Sequence, residues 1–450
     1  MNLIVLITVL LCGRCLQNPI GLLVLTLGIV STAIAENSVA SISSGDKSNF
    51  IVQSIIDDKK ELTLRDAIQL ALQHNPELAS FEKEVRALGG ITLQAGLLPN
   101  PVIQFDNEDI SSRTDGPGAR FTSIRISQLI EIGGKRSART HAASLGQERA
   151  EQDYAIKRLD LIARVANMFT DVLAGQERLQ LALAGQALAK KVVNAATKRV
   201  QAGKAPPIEE TRAKVAFATT NIELKQAQRD LIALRKQLGL LWGDQTPDFE
   251  RVLGDLESFV VIPEFNILEE RVRSNPLALS SLRNLEQRRA LLTLEKARRI
   301  PDVTLNAGVR RYGGEHDTTA LVGLSIPLPL FNRNQGNLLA AHQRVDQAQD
   351  QWAAADLQLK TLLVQAYEAL TAADNEIIML RDEILPGANE AFAMANRGYE
   401  LGRFGFLELL DAQRTLFQNQ TLYLRALSNY QRLINEIERL IAGPIENAVD

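Results

Sequence analysis

The sequence predicts a mainly α-helical protein with a small β part and an internal duplication. Three observations support this fold class. Aromatic residues make up only 5% of the 450 residues while hydrophobic residues make up 46%, a composition that suits long, closely packed helices. Long segments keep apolar residues at helical spacing, and short segments alternate apolar and polar residues as strands do. Finally, features of the first half recur in the same order in the second half.

The first 35 residues are predicted to be a signal peptide that is removed on export. Arg14 is their only charged side chain, and the apolar run Ile20–Val30 leads to small residues that suit a cleavage site, Ala33–Ala35. A retained membrane anchor is the alternative, but the run is shorter than the roughly 20 residues that a spanning helix needs. Residues 36–60 are polar and serine-rich, and we expect a loose N-terminal segment there.

The two cysteines, Cys12 and Cys15, both lie in the predicted signal peptide. The mature chain would therefore have no disulfide, no thiolate metal site and no cysteine nucleophile. Cys12 follows Leu11 and Cys15 follows Arg14, whereas an acylated cysteine needs a small residue before it, so we expect no N-terminal lipid. The net charge of −3 argues against nucleic acid as a partner.

Four pairs of motifs lie at nearly one offset and in one order, which indicates two repeats. The pairs are Asn75-Pro76 with Asn275-Pro276, Pro99 with Pro301, Ile126-Ser127 with Leu324-Ser325, and Ala202-Gly203-Lys204 with Leu401-Gly402-Arg403. The predicted repeats are residues 62–242 and 265–442. Residues 243–263 join them and contain the helix breakers Gly243, Pro247, Gly254 and Pro263.

Each repeat is predicted to begin with a helix that is followed by two strands. In the first repeat, one helix face is apolar and the segment Leu98–Pro101 ends the helix; the apolar face consists of Leu64, Ala67, Ile68, Ala71 and Leu72. The strand candidates are 102–110 and 121–130, joined by a loop that contains Asp115–Gly118, and in the second repeat 303–310 and 320–328, separated by Gly313-Gly314.

The strand candidates have one apolar and one polar face. Val303, Leu305, Ala307 and Val309 alternate with polar residues or glycine, as in transmembrane barrel strands. No stretch after Ala35 is a transmembrane helix, so a membrane crossing would need strands closed into a barrel. A soluble sheet edge is the alternative. Two hairpins cannot close a barrel alone, so both interpretations require partners.

A very long helix is predicted next in each repeat, over Arg136–Gln201 and Asn337–Leu401, with a kink at Pro386-Gly387 in the second. Both keep coiled-coil spacing, shown by Ala155, Leu159, Ile162, Ala166, Phe169 and Leu173, and by Val345, Ala348, Trp352, Ala355, Leu359, Leu362 and Ala366. Sharp reversals follow at Gly203–Pro207 and Gly402–Gly405, and returning helices run to Trp242 and Ile441.

This layout resembles the outer-membrane efflux protein (TolC-like) family over nearly the whole mature chain. The duplicated Asn-Pro pairs and the sequence Gly402–Ala412 carry the resemblance, and Gln128–Arg136 is similar to the cation-efflux (CzcC-like) subgroup. The resemblance implies a homotrimer in which each protomer gives four strands to an outer-membrane β-barrel. A long periplasmic α-helical coiled-coil barrel would continue it. It also implies outer-membrane lipid, a periplasmic adaptor protein and an inner-membrane resistance-nodulation-division pump as partners.

The expected function is therefore an outer-membrane channel that exports solutes, in particular divalent heavy-metal cations, from the periplasm to the exterior. Three alternatives stay open: drug efflux by the same duct, type I protein secretion by the same duct, and a soluble coiled-coil scaffold. We expect no enzyme and no cofactor, because His74, His141, His316 and His342 are scattered and no catalytic or metal-binding spacing occurs.

Two groups of functional residues are expected at the helix reversals. The far end of the long helices should dock the adaptor through Gly203, Lys204, Gly402 and Arg403. Glu408 and Asp411 are three residues apart and so share a helix face, and the resemblance implies that they line a narrow pore mouth. Glu209 and Glu210 are the corresponding candidates in the first repeat, where Pro206-Pro207 departs from the family pattern. A solvated acidic face and ordinary turns are the alternatives.

Overall fold

A computed structural model describes residues 61–108, 121–312 and 318–446. The predicted signal peptide, the segment 36–60, the Asp115–Gly118 loop and Gly313-Gly314 lie outside the described residues. Helices dominate the described part and strands are few, which confirms the predicted mainly α fold class. Within these three ranges, none of the helices is long and apolar enough to cross a membrane.

The first half of the described chain runs from a short strand through two helices and a hairpin into a pair of long helices. Its elements are β1 (Glu61–Thr63), α1 (Leu64–His74), α2 (Pro76–Ala95), β2 (Val102–Glu108), β3 (Phe121–Ile130), α3 (Lys135–Gln201) and α4 (Pro207–Leu240). Helix α3 has 67 residues without interruption and is therefore about 100 Å long at 1.5 Å per residue.

The second half repeats this order. Its elements are β4 (Arg251–Leu253), α5 (Phe265–Val272), α6 (Pro276–Ala297), β5 (Val303–Tyr312), β6 (Thr318–Ser325), α7 (Gln335–Met379), a π-helical segment (Leu380–Ile384), α8 (Leu385–Glu400) and α9 (Phe406–Ile441). Strand β4 lies in the segment between the predicted repeats and pairs in parallel with β1.

The first predicted helix of each repeat is two helices, so the prediction of one helix up to Leu98 was wrong. Proline cannot continue a helix, but it fits a helix start, where its missing N–H costs nothing. Asn75 ends α1 and caps α2, because its Oδ1 accepts a hydrogen bond from the Leu78 N–H at 2.9 Å. Asn275 likewise caps α6 through the Leu277 N–H at 2.8 Å.

The predicted kink at Pro386-Gly387 appears as a local change of helix type. Helices α7 and α8 follow one another through the π-helical segment Leu380–Ile384, and the Leu385 N–H bonds to the Leu380 carbonyl, five residues back. Pro386 lacks an N–H and would crowd the carbonyl of the preceding turn in an ordinary α-helix. The wider π turn lies directly before it and accommodates the ring.

Within the described residues, four antiparallel strands form one sheet in the order β2-β3-β5-β6. One face is apolar, since Ile124 pairs with Phe105 on one side and with Val309 on the other. The opposite face is polar: Arg125 pairs with Gln104 and with Gly308. Gly308 is required there, because a Cβ would lie 2.3 Å from the Ile124 carbonyl oxygen. This pattern confirms the predicted alternation.

The last predicted strand ends earlier than expected. Strand β6 stops at Ser325 instead of continuing to Leu328. Pro327 explains the end, because proline has no N–H to give to a neighbouring strand. The side chains of Leu328 and Phe331 after it are 76% and 89% exposed in the protomer.

The main hydrophobic core lies where the long helices of both halves pack together. Leu161, Val165 and Val172 of α3 are buried there with Leu363 and Leu370 of α7 and with Tyr430, Ile437 and Leu440 of α9. Most of the predicted coiled-coil positions are buried or half-buried, but Trp352 is 42% exposed and lies on the outer surface of the protomer.

Candidate functional site at the helix reversals

The two predicted reversals have the same backbone geometry. Gly203 and Gly402 adopt positive φ angles of 63° and 73°, which only glycine adopts without strain. The residue after each glycine bonds to a carbonyl five residues earlier in the chain. The Lys204 N–H bonds to the Arg199 carbonyl and the Arg403 N–H to the Gly398 carbonyl, both at 2.8 Å. This is the Schellman arrangement that ends many helices.

A small hydrophobic core joins the two reversals. It is formed by Val192 and Ala196 of α3, Ala213 of α4, Tyr399 of α8, and Phe406 and Leu409 of α9. The Tyr399 and Phe406 rings lie 5.8 Å apart at a tilt of 58°. The ends of four helices from both halves therefore meet in one packed unit.

Arg199 and Tyr399 connect the halves directly within this unit. The Arg199 guanidinium lies 4.3 Å from the centre of the Tyr399 ring, and its Nη1 donates a hydrogen bond to the Tyr399 carbonyl oxygen. The Tyr399 hydroxyl donates to Glu209 Oε2 on α4 at 3.4 Å. Burial, with a smaller contribution from the Glu209 charge, raises the pKa of Tyr399 above its usual value.

Glu210 points to a different set of partners. Its Oε1 accepts a hydrogen bond from the Thr197 hydroxyl at 3.2 Å and lies 2.6 Å from Lys214 Nζ. The Lys214 ammonium keeps the pKa of this carboxyl below its usual value. Glu209 and Glu210 therefore contact groups of their own protomer.

Glu408 and Asp411 lie on the first two turns of α9, and both side chains are exposed in the protomer. Leu409, which lies between them in sequence, and Phe406, two residues before Glu408, are buried in the core that joins the reversals. The Glu408 carboxylate folds back over Gly405, where an added Cβ would lie 2.5 Å from Oε2. The two carboxylates thus share a surface that faces away from the protomer's own packing.

The four predicted docking residues are also exposed. Each reversal therefore presents a glycine and a basic side chain to solvent, Gly203 with Lys204 on the first and Gly402 with Arg403 on the second. Sequence reasoning missed Arg199 and Tyr399. The available signal was their position, because they occupy the last helical turns before the two glycines. Over the described ranges, no group of three or more His, Cys, Asp or Glu side chains could bind a metal ion.

Comparison with known proteins decides the family. The family model described as outer membrane efflux protein matches residues 67–244 and 269–443, once in each half. The chain belongs to the outer membrane efflux protein family. Each of the two matches contains one copy of the hairpin, long helix and reversal described above.

The relatives of this efflux protein include metal-resistance proteins. It is 37% identical to the cobalt-zinc-cadmium resistance protein CzcC of Cupriavidus metallidurans over 380 residues, 84% of this chain and 90% of CzcC. It is 27% identical to the nickel-cobalt-cadmium resistance protein NccC of Alcaligenes xylosoxydans xylosoxydans over 311 residues, 69% of each chain.

Solved structures share the fold at lower identity. The outer membrane protein VceC of Vibrio cholerae aligns with a TM-score of 0.72 and 21% identity, covering 85% of this chain and 97% of VceC. A crystal structure of the channel-forming protein CusC aligns with a TM-score of 0.73 and 17% identity, covering 84% of this chain and 92% of CusC. The chain therefore shares the fold of these two outer-membrane proteins.

Proposed function

We propose that this efflux protein is the outer-membrane channel of a tripartite system that exports divalent heavy-metal cations from the periplasm to the exterior. The observation that carries the proposal is the 37% identity to a cobalt-zinc-cadmium resistance protein across both repeats. The second relative is also named for resistance to divalent metals.

The described architecture supports a duct. The apolar face of the sheet is its more exposed face, with Ile124 and Val309 both 50% exposed, and suits contact with lipid. The polar face, which carries Arg125 and its ion-pair partner Asp106, would line the lumen. Helix α3, at roughly 100 Å, is long enough to carry a tunnel deep into the periplasm.

Closure of the duct requires three copies in this proposal. Four strands cannot close a barrel, and open strand edges cannot persist in lipid because their backbone groups would lack hydrogen-bond partners. Within the described residues, β2 and β6 each have a single partner strand. A homotrimer with twelve strands satisfies both edges of every protomer.

The helix reversals form the periplasmic end of the duct in this proposal. They lie at the end of α3, and at the end of the run from α7 to α8, that is farther from the strands. An adaptor protein that connects to an inner-membrane resistance-nodulation-division pump would therefore meet them first. The exposed side chains of Lys204 and Arg403 are the docking contacts. The pump supplies energy and selects the substrate, and this chain conducts the solute without chemistry of its own.

The pore mouth is formed by Glu408 and Asp411. Three protomers would place three copies of each carboxylate around a narrow opening, where a ring of negative charge attracts cations and repels anions. The exposure of both side chains in the protomer and the burial of Phe406 and Leu409 beneath them support this orientation.

Deletion of the gene in its host tests the proposed function. We expect growth to become sensitive to Co²⁺, Zn²⁺ or Cd²⁺, and sensitivity to hydrophobic drugs and the level of secreted proteins to stay unchanged. A deletion strain with normal metal resistance and increased drug sensitivity, or with a missing secreted protein, would support the alternative cargoes. Recovery of the protein in the soluble fraction would support the scaffold alternative.

A further inference from the structure

The two repeats are joined by strand pairing, and this internal junction defines how one protomer meets the next. Strand β3 is the second strand of the first repeat's hairpin, and β5 is the first strand of the second repeat's hairpin; they pair along ten residues each. The free edges of the sheet are β6 and β2, again a second strand and a first strand. The junction between protomers therefore has to join the same two kinds of strand.

The equivalence of the strands can be fixed residue by residue. Pro99 precedes β2 as Pro301 precedes β5, which makes Gln104 equivalent to Asn306. The motif Ile126-Ser127 in β3 matches Leu324-Ser325 in β6, which makes Ser127 equivalent to Ser325. The hairpin registers agree with this independently: Gln104 pairs with Arg125 and the equivalent Asn306 pairs with Gly323, each two residues before the matching serine.

The internal junction then predicts the register of the external one. Ser127 of β3 pairs with Asn306 of β5. Replacing each residue by its equivalent, we infer that Ser325 of one protomer pairs antiparallel with Gln104 of the partner subunit, and Leu324 with Phe105 of the partner subunit. The inference rests on the proposed trimeric channel and adds the contact by which the trimer closes.

Side chains at the internal junction indicate why this register is favourable. The Ser127 hydroxyl donates a hydrogen bond to Asn306 Oδ1 at 2.6 Å on the polar face. In the proposed register the Ser325 hydroxyl faces the amide of Gln104 of the partner subunit in the same geometry. A serine and a carboxamide thus recur at both junctions, although the amide is Asn at one and Gln at the other.

The opposite face is also complementary. Leu324 and Phe105, which would lie directly opposite each other, are 61% and 64% exposed in the protomer. Ile326, the residue directly after β6, and Ile103 would form the next apolar pair, and they are 45% and 74% exposed. If the register slipped by one residue, the apolar side chains of one strand would lie opposite polar ones and would point to the lumen. The apolar face of the sheet therefore specifies the register.

Paired cysteines test the register in membranes. Strand residues directly opposite have Cβ atoms about 4.5–5.5 Å apart and diagonal neighbours about 7–8 Å, and a disulfide needs Cβ atoms roughly 4 Å apart. Ser325→Cys with Gln104→Cys should therefore form covalent dimers and trimers under mild oxidation on non-reducing gels. Ser325→Cys with Val102→Cys, and Ser325→Cys with Asp106→Cys, should form several-fold less.

Matched controls make the outcome decisive. Ser127→Cys with Asn306→Cys reports whether a disulfide forms at the equivalent junction within one chain, read as loss of free thiols without a covalent dimer. Leu324→Cys with Phe105→Cys tests the same register on the apolar face, in case the polar pair does not fold. The cysteines of the natural chain, Cys12 and Cys15, lie in the predicted signal peptide and are replaced by serine in every variant.

Preferential cross-linking through Val102→Cys or Asp106→Cys would overturn the register. The register would also be overturned if neither predicted pair formed an intermolecular cross-link while the internal control pair reacted. Native mass measurement of the unmodified protein separates this failure from failure of the proposed function. A trimer with the wrong cross-link refutes the register alone, whereas a monomer refutes the channel assembly on which it rests.

Discussion

The side-chain amide of Asn275 donates a hydrogen bond to the carbonyl oxygen of Leu440 at 2.8 Å. Asn75 makes the equivalent bond to the Leu241 carbonyl, also at 2.8 Å. Each asparagine therefore caps the start of one helix and satisfies a carbonyl at the end of another, and both are at most 9% exposed. The repeated Asn-Pro pair is thus a junction that closes each repeat on itself.

Replacement of Asn275 by alanine should destabilise the protein by about 2–4 kcal/mol, because it removes a helix cap worth about 1 kcal/mol and leaves a buried carbonyl unsatisfied at about 1–3 kcal/mol. Asn75→Ala should act similarly. Thermal unfolding in detergent measures the effect. Asn389→Ala, which removes an exposed asparagine bonded only to its own helix, is the control and should change the unfolding temperature little.

Loss of the Tyr399 hydroxyl should loosen the helix reversals. Tyr399→Phe keeps the ring against Arg199 but removes the hydrogen bond to Glu209, so we expect a larger single-channel conductance with an intact trimer. Tyr423→Phe removes a similar bond, to Glu257 at 3.1 Å, far along α9 from the reversals and should leave conductance unchanged. Equal conductance of Tyr399→Phe and the parent protein would show that this bond does not restrict the mouth.

The raised pKa of Tyr399 gives a pH dependence of defined sign. The folded protein favours the neutral phenol, so its contribution to stability is fully present below the ordinary tyrosine pKa of about 10 and is lost as the pH rises through the raised pKa. An ultraviolet difference titration of the parent protein against Tyr399→Phe should show ionisation above the ordinary value. Ionisation at or below it would contradict the buried contact with Glu209.

Neutralisation of the proposed pore mouth should reduce its preference for cations. Glu408→Gln combined with Asp411→Asn removes six carboxylates from a trimer. The reversal potential measured in a salt gradient should therefore move towards zero as cation preference is lost, and block by divalent ions should weaken. Glu368→Gln, an exposed acid on α7, is the control. Unchanged selectivity and block in the double variant would place both residues outside the conducting path.

Charge reversal at the docking surface should impair export without affecting assembly. Lys204→Glu and Arg403→Glu leave the glycines and their backbone bonds in place, so the trimer should form normally. Cross-linking to the adaptor and metal resistance of cells should both fall. The exposed Lys236→Glu substitution, near the other end of α4, serves as the charge-matched control. Full resistance in both reversal variants would indicate ordinary turns without a partner.

Much of the fold could be predicted because it follows from local patterns. The alternation from Val303 to Val309 indicates one apolar and one polar sheet face, and the glycines at 203 and 402 mark reversals that need positive φ. These signals are contained within a few neighbouring residues. The paired motifs then showed that the same elements occur twice.

Other features depend on contacts between distant parts of the chain. The Arg199 contact with Tyr399 links residues of different repeats, so no spacing within either segment indicates it. The parallel pair of β1 with β4 involves three residues on each strand, which is too short for a period to appear. The division of the first predicted helix at Asn75 was missed because apolar residues keep helical spacing on both sides of this capping residue.

The central claim is that this chain conducts metal cations out of the periplasm, and the periplasmic zinc content of metal-loaded cells tests it most directly. Cells that carry the pump and adaptor but lack this gene should retain zinc in the fraction released by osmotic shock. Restoring the parent gene should lower that zinc several-fold, and the Glu408→Gln and Asp411→Asn double variant should lower it less. Equal periplasmic zinc with and without the gene would contradict the account.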